Sequence, residues 1–192
     1  MARTKAFIPE ERLELAKAVF WEKGYQATSM QDLVNSTGLN RGSIYDTYGD
    51  KHSLFLQCLL SYNTSILELY DQLATESRSP MKLLEKLVSY EVARAISDGK
   101  TCLGVKSVFE LAAVDEEVHT ILKDHTLKVL AIVSGLLRKA QKAGEIKAKR
   151  DPEALARFVI GNFSGFSQLF LLFGKPEVVF AQADLLIRAI KK

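Results

Sequence analysis

The sequence predicts an all-α protein of about nine helices, and three observations carry that expectation. First, all four prolines stand where a helix begins: Pro9 before Glu10-Glu11, Pro80 after Ser79, Pro152 after Asp151 and Pro176 before Glu177. Proline suits the first helical position because its missing N–H would have no partner there, and acids beside it favour the positive helix end. Second, glycines mark stops at Gly24, Gly38, Gly49, Gly99, Gly144 and Gly174. Third, apolar residues recur three and four apart, as in Leu13, Ala16 and Phe20 or Leu83, Leu84, Leu87, Val88 and Val92. No β-branched alternating run with hairpin turns appears.

Composition narrows the class. The chain has 192 residues, 47% hydrophobic and 26% charged, which excludes intrinsic disorder. Cys58 and Cys102 are too few for a disulfide framework or a zinc knuckle, and no secretion signal is visible behind Met1. The uncharged run from Phe158 to Gly174 contains Asn162, Ser164, Ser167 and Gln168, which a membrane-spanning helix would bury in hydrocarbon. A soluble protein of the reducing cytoplasm is expected. The net charge of +3 is too small to announce a nucleic-acid binder, so that function must rest on local arrangement.

The elements follow in order. A first helix starts at Pro9 and ends near Gly24. Thr28, with Gln31 three residues on, is expected to cap a second helix through about Ser36, with Met30, Leu33 and Val34 on its apolar face. Thr37-Gly38-Leu39 turns the chain, Gly38 supplying a positive φ and Leu39 entering the core. Asn40 caps a third short helix, Arg41 to about Tyr48, whose inward residues are Ile44 and Tyr48. Asp50 caps the next, which could run as one rod to about Thr75. The helices beyond are long, Pro80 to Gly99 and onward to 152–173 and 176–190. The change in helix length suggests two domains, 1–50 and 51–192.

Two short helices joined by a Gly-containing turn form the helix-turn-helix pattern, whose second helix enters the major groove. Its exposed residues suit that task. Arg41 could reach guanine O6 and N7, Ser43 can bond either base type, and Gly42 lets the backbone approach closely. Tyr45, Thr47 and Lys51 suit phosphate oxygens, the N-terminal end with Thr28 and Ser29 offers backbone N–H groups to another, and Asn40 stands at the helix entrance. Arg3 and Lys5 make a short basic arm toward an adjacent groove. Charge gives no help: residues 1–53 hold seven basic and seven acidic side chains. An all-α ligand-binding or adaptor protein, docking another protein through this module, stays open on these grounds.

The segment Ala18 to Phe55 is similar to the DNA-binding domain of TetR/AcrR-family transcriptional regulators. Gly24-Tyr25, Thr28-Ser29-Met30, Gly38-Leu39, Arg41-Gly42-Ser43-Ile44-Tyr45, Tyr48, Gly49-Asp50-Lys51 and Leu54-Phe55 carry the likeness. It implies a homodimer whose subunits join a three-helix DNA-binding domain to a helical body that binds a small effector and dimerises. It also implies a repressor released from a palindromic operator when the effector binds. By position, Tyr45 and Lys51 match phosphate contacts, and Arg41, Ser43 and Thr47 groove-facing sites, although Thr47 replaces an aromatic residue or histidine. Thr101 to Ala112 resembles a motif of one branch of the family, with Lys106 where asparagine is usual. The last two helices match those that pair across the dimer.

For the effector site, the expected contacts are Tyr62, Tyr90, Cys102, Lys106, Phe109, Phe163 and Phe166. Lys106 could meet an anionic effector, and could lower the pKa of Cys102 if both faced one cavity on one helix. Cys58 reads as core. Core packing accounts for most of the aromatic series Phe158 to Phe173, and small residues Gly161 and Gly165 allow a second helix close approach. The six basic residues of 138–150 read as a solvated helix end.

Catalysis finds little support. His52, His119 and His125 show no i,i+4 pair, so no metal ligand set is expected. In Gly161-Asn162-Phe163-Ser164-Gly165 the serine stands one place late for a nucleophile elbow, and no Gly-rich phosphate loop occurs. No cofactor is expected, and the expected partners are double-stranded DNA, a small effector and a second copy of the chain.

Overall fold

A computed structural model describes residues 7–74 and 79–191. Nine helices and no strand occur among them. They are α1 (Pro9–Lys23), α2 (Met30–Thr37), α3 (Arg41–Tyr48), α4 (Lys51–Ala74), α5 (Pro80–Asp98), α6 (Leu103–Glu110), α7 (Glu116–Lys142), α8 (Pro152–Phe173) and α9 (Pro176–Ile190). Each of the four prolines opens a helix, as their preset φ and missing donor require. The Arg3–Lys5 arm and Thr75 lie outside the described residues.

The helices gather into two compact units, residues 1–65 with 103–122, and 66–102 with 123–192, so the division falls within α4 and α7. In the first unit Ala16, Phe20, Leu33, Ile44, Leu54 and Phe55 are buried. Phe20 meets Phe55 edge-on at 5.1 Å, and Trp21 meets Tyr62 likewise at 5.5 Å, arrangements that set a positive ring edge against a negative face. Cys58 is fully buried, its thiol directed at the Leu13 carbonyl and its pKa pushed up by burial. The expectation that it is core holds.

In the second unit α5, α8 and α9 pack on one another around Leu84, Leu87, Val88, Val159, Phe166, Val179, Leu186 and Ile190, with Val133 and Leu137 of α7 in the same core. Among the described residues, one charged group lies inside it. Glu91 is 2% exposed, accepts the Tyr70 hydroxyl at 2.8 Å and pairs with Arg94. A buried carboxylate is tolerated only with such partners. Gln141 fastens the turn after α7 by donating to the carbonyls of Lys147, Ala148 and Arg150. Lys139 and Lys142 stand in the last turn of α7, where cations complement the helix dipole.

By length and composition α8 could cross a membrane, and only 28% of its most apolar window is buried. It nevertheless sets Leu155, Ala156, Val159, Phe166 and Ser167 into the core, while Phe158, Leu171, Leu172 and Phe173 stay exposed.

Candidate nucleic-acid interface

The entrance to α2 differs from the expected cap. Ser29, not Thr28, is the N-cap, and its partner is Asp32, not Gln31. The Ser29 hydroxyl accepts the Asp32 N–H at 3.1 Å, and the Asp32 carboxylate accepts the Ser29 N–H at 2.9 Å. Lys23 lies 2.5 Å from the same carboxylate and, with Ser29, holds it below the usual carboxylate range. Thr28 is drawn inward instead. Its hydroxyl donates to the Gly24 carbonyl at 2.6 Å and the residue is 1% exposed, so it presents no side chain to a ligand. The Ser29 hydroxyl and N–H are likewise engaged within the capping box.

The turn into α3 follows the sequence. Gly38 takes a left-handed φ of 67°, and Leu39 is buried. Asn40 caps α3 by accepting the Ser43 N–H at 2.8 Å. Ile44 is fully buried, and Tyr48 donates its hydroxyl to the Pro9 carbonyl at 2.7 Å. With those two residues fixed inward, the 100° step of the helix leaves Arg41, Gly42, Tyr45 and Asp46 exposed, with Ser43 and Thr47 half-buried. Asp50 caps α4 through the Ser53 N–H at 2.7 Å. Lys51 sets its ammonium 4.4 Å above the Tyr25 ring, a cation–π contact, and burial lowers its pKa against the opposing pull of Glu110.

Sequence reasoning missed how α6 grips this module. Lys106 donates to the carbonyls of Trp21 and Glu22 at 2.9 and 2.7 Å, capping the C-terminal end of α1. Glu110 accepts the N–H groups of Tyr25 and Gln26 at 3.0 and 2.6 Å. Together they hold the turn from both polarities, cation on carbonyls and carboxylate on amides. His52, at the start of α4, bonds Asp115 at 2.7 Å in the turn between α6 and α7. None of these pairs is close in the chain, so no local motif could announce them.

The expected effector contacts are not brought into one unit. Tyr62, Lys106 and Phe109 belong to the first; Tyr90, Cys102, Phe163 and Phe166 to the second. Tyr62 is buried against Trp21, Phe109 is 85% exposed, and Phe166 is fully buried with Phe163 packed beside it. Lys106 is committed to α1, which corrects the anionic-effector expectation. Cys102 precedes the first residue of α6 and is half-buried, so the shared-helix pairing with Lys106 does not form. A groove of about 660 Å³ does lie between α5 and α9, walled by Val88, Val92, Ile96, Phe180 and Ile187, and none of the seven expected residues lines it. Asn63 was not anticipated: it is 6% exposed, and its carboxamide atoms have no hydrogen-bond partner among the described residues.

A short, doubly capped helix presented on a three-helix frame defines a helix-turn-helix DNA-binding protein. The model of bacterial regulatory proteins of the tetR family matches residues 13–58, and that of the tetracyclin repressor-like C-terminal domain matches residues 81–183. The chain belongs to the tetR family of transcriptional regulators. It is 33% identical over 180 residues to the uncharacterized HTH-type transcriptional regulator YezE of Bacillus subtilis, covering 89% of each chain. It is 27% identical over 169 residues to the transcriptional repressor ComR of Escherichia coli, covering 86% of this chain and 80% of that one. A cysteine mutant of the regulator CifR, solved with a 26-base-pair operator DNA, superposes with a TM-score of 0.83 at 26% identity, covering 97% and 99% of the two chains.

Proposed function

We propose that this chain is a homodimeric repressor that binds a palindromic operator through α3 and is released by a small-molecule effector. The observation that carries the reading is the division of α3 into a buried edge, Ile44 and Tyr48, and an outward row of polar residues. In this reading Arg41 and Ser43 meet base edges, and Gly42 allows close approach. Tyr45, Thr47 and Lys51 meet phosphates, and Asn40 and Ser29 frame the helix entrances. Thr28 serves the turn rather than the DNA. Residues 1–50 then carry recognition, and 51–192 effector binding and dimerisation.

Dimerisation is assigned to α8 and α9. Phe158, Leu171, Leu172 and Phe173 on α8, with Phe180 and Leu185 on α9, are exposed apolar residues of the kind a second subunit covers. A Cβ added at Gly161 or Gly165 would meet nothing within 4 Å, which leaves room for a partner helix. Supporting this assembly, two recognition helices on one palindrome double a small set of phosphate contacts. The effector acts by favouring a subunit arrangement whose two α3 helices no longer match successive grooves. Its contacts are sought first at Tyr90, Cys102 and Phe163. The protein works without catalysis, in the cytoplasm.

Selection of bound fragments from random duplex DNA tests the reading. Enrichment of an inverted repeat is expected. If no sequence is enriched, recognition of an operator fails and the adaptor reading of residues 1–50 takes its place.

A further inference from the structure

We infer that Asn63 binds the primary amide of a small uncharged effector, seated at the first turn of α6. The inference rests on the effector reading above and adds to it a contact in the first unit.

Asn63 stands on α4 and is 6% exposed, yet neither Oδ1 nor Nδ2 has a hydrogen-bond partner among the described residues. A carboxamide owns two N–H groups and an oxygen with two lone pairs. Withdrawing them from water without replacement costs free energy that an apolar residue does not incur. Other buried polar side chains of the same unit are satisfied. Thr28, Thr37 and Ser107 each donate to the carbonyl four residues back, at 2.6, 2.6 and 2.8 Å. Asn162 shows that a helical asparagine can do the same, its Nδ2 donating to the Phe158 carbonyl at 2.8 Å. Asn63 does not.

Its carboxamide faces α6 instead. Oδ1 lies 4.0 Å from where a Gly104 Cβ would stand, and Leu122 of α7 lies 3.9 Å from the same point. Gly104 is the second residue of α6, in the turn whose N–H groups have no partner within the helix and form its positive end. A buried donor and acceptor, a helix start and the bare flank of a glycine therefore converge on one place.

Both atoms of Asn63 are satisfied at once by a group that sets a C=O and an N–H on one edge. A primary amide does so through two paired hydrogen bonds, and the helix start favours its carbonyl oxygen. A carboxylate brings acceptors only and would oppose Oδ1. Its charge would also go unpaired by Lys106, the basic residue of α6, which is given to the carbonyls of Trp21 and Glu22. The same short helix holds the turn after α1 through Glu110, so an amide seated at its first turn acts on the frame of α3. Its effect equals its differential affinity for the two arrangements of that frame.

The test follows the Asn63 side-chain amide and the residue-104 backbone amide by NMR in the full chain while acetamide is added. Saturable movement of both is expected at millimolar acetamide, and none with acetate or N,N-dimethylacetamide, which lack the N–H. Gly104→Ala is the decisive variant. Its methyl group makes only ordinary van der Waals contact with Leu122 and Asn63 and raises helix propensity, so the fold is kept. It takes the room before the carboxamide, and acetamide should bind about tenfold more weakly or not at all. Asn63→Leu should abolish the response at residue 104 with circular dichroism unchanged. An Asn63 resonance unmoved by acetamide, an equal response to acetate, or undiminished binding in Gly104→Ala overturns the site. With the selected operator duplex present, saturating acetamide should weaken DNA binding by the native chain and not by Asn63→Leu. Unchanged operator affinity overturns the effector role. A chain that binds no duplex at all fails the operator reading, and the resonances alone then decide the amide site.

Discussion

Arg41 and Lys51 stand at the two ends of the proposed reading surface, and they should fail differently. Arg41→Ala is expected to cost about 1–3 kcal/mol on the operator and much less on random duplex, because its guanidinium is assigned to base edges. Lys51→Ala should weaken both duplexes alike and lower the salt dependence of binding. Parallel titrations on the two DNAs at several salt concentrations separate these outcomes. His125 offers a second residue-scale test. Its Nδ1 is buried with no hydrogen-bond partner among the described residues. Burial first, then the charges of Lys128 and Arg94, push its pKa down to about 4. Against the ordinary value of about 6.5, the folded state binds fewer protons than the unfolded one. The stability this neutral ring contributes is present above about pH 6.5 and is lost as pH falls toward about 4. Thermal unfolding of His125→Leu should therefore depend less on pH across that window than the native protein does.

The recognition element is held by caps and by α6 more than by its own helix propensity. Helices of eight residues are marginal alone, and α2 and α3 each have that length. Their ends are satisfied by Ser29 with Asp32 and by Asn40, while Leu33 and Ile44 anchor their inner faces. Gly24 is where this arrangement is least tolerant. Its φ of 85° with ψ of 170° belongs to a region that is essentially glycine's alone. A Cβ there would stand 2.7 Å from a Glu110 carboxylate oxygen. Gly24→Ala should destabilise the fold by about 1–3 kcal/mol, measured by chemical denaturation, and because Glu110→Ala by itself loses the bonds to the Tyr25 and Gln26 amides, the part due to crowding is the coupling term of the double-mutant cycle.

At the scale of the molecule, the proposed interface consists of exposed apolar side chains, Phe158, Leu171, Leu172 and Phe173 of α8 with Phe180 and Leu185 of α9. Gly161 separates packing within the chain from packing between chains. Nothing lies within 4 Å of its would-be Cβ, so Gly161→Leu should leave the monomer fold intact, with a small gain from higher helix propensity. The same side chain would obstruct a partner helix. Light scattering should show a dimer for the native chain and dissociation for the variant, while circular dichroism remains unchanged. A dimer of undiminished strength would move the interface away from this face of α8.

Sequence alone determined the starts of the four helices that prolines open, the stops that glycines mark and the inward edge of α3, because prolines, glycines and caps act over three or four residues. The prolines stand at first helical positions, and Asn40, Ile44, Tyr48 and Asp50 play the parts their spacing dictates. Even locally there was a limit. Thr28-Ser29 offers two adjacent hydroxyls, and only the turn from Gly24, which draws Thr28 inward, makes Ser29 the cap. The tertiary structure decided the rest. Lys106 and Glu110 reach α1 and the turn after it across 84 and 85 positions, and His52 reaches Asp115 across 63. A charged side chain's spacing tells which face of its helix it occupies, but its partner is chosen by packing. That is why a lysine expected at an effector instead holds the end of a helix.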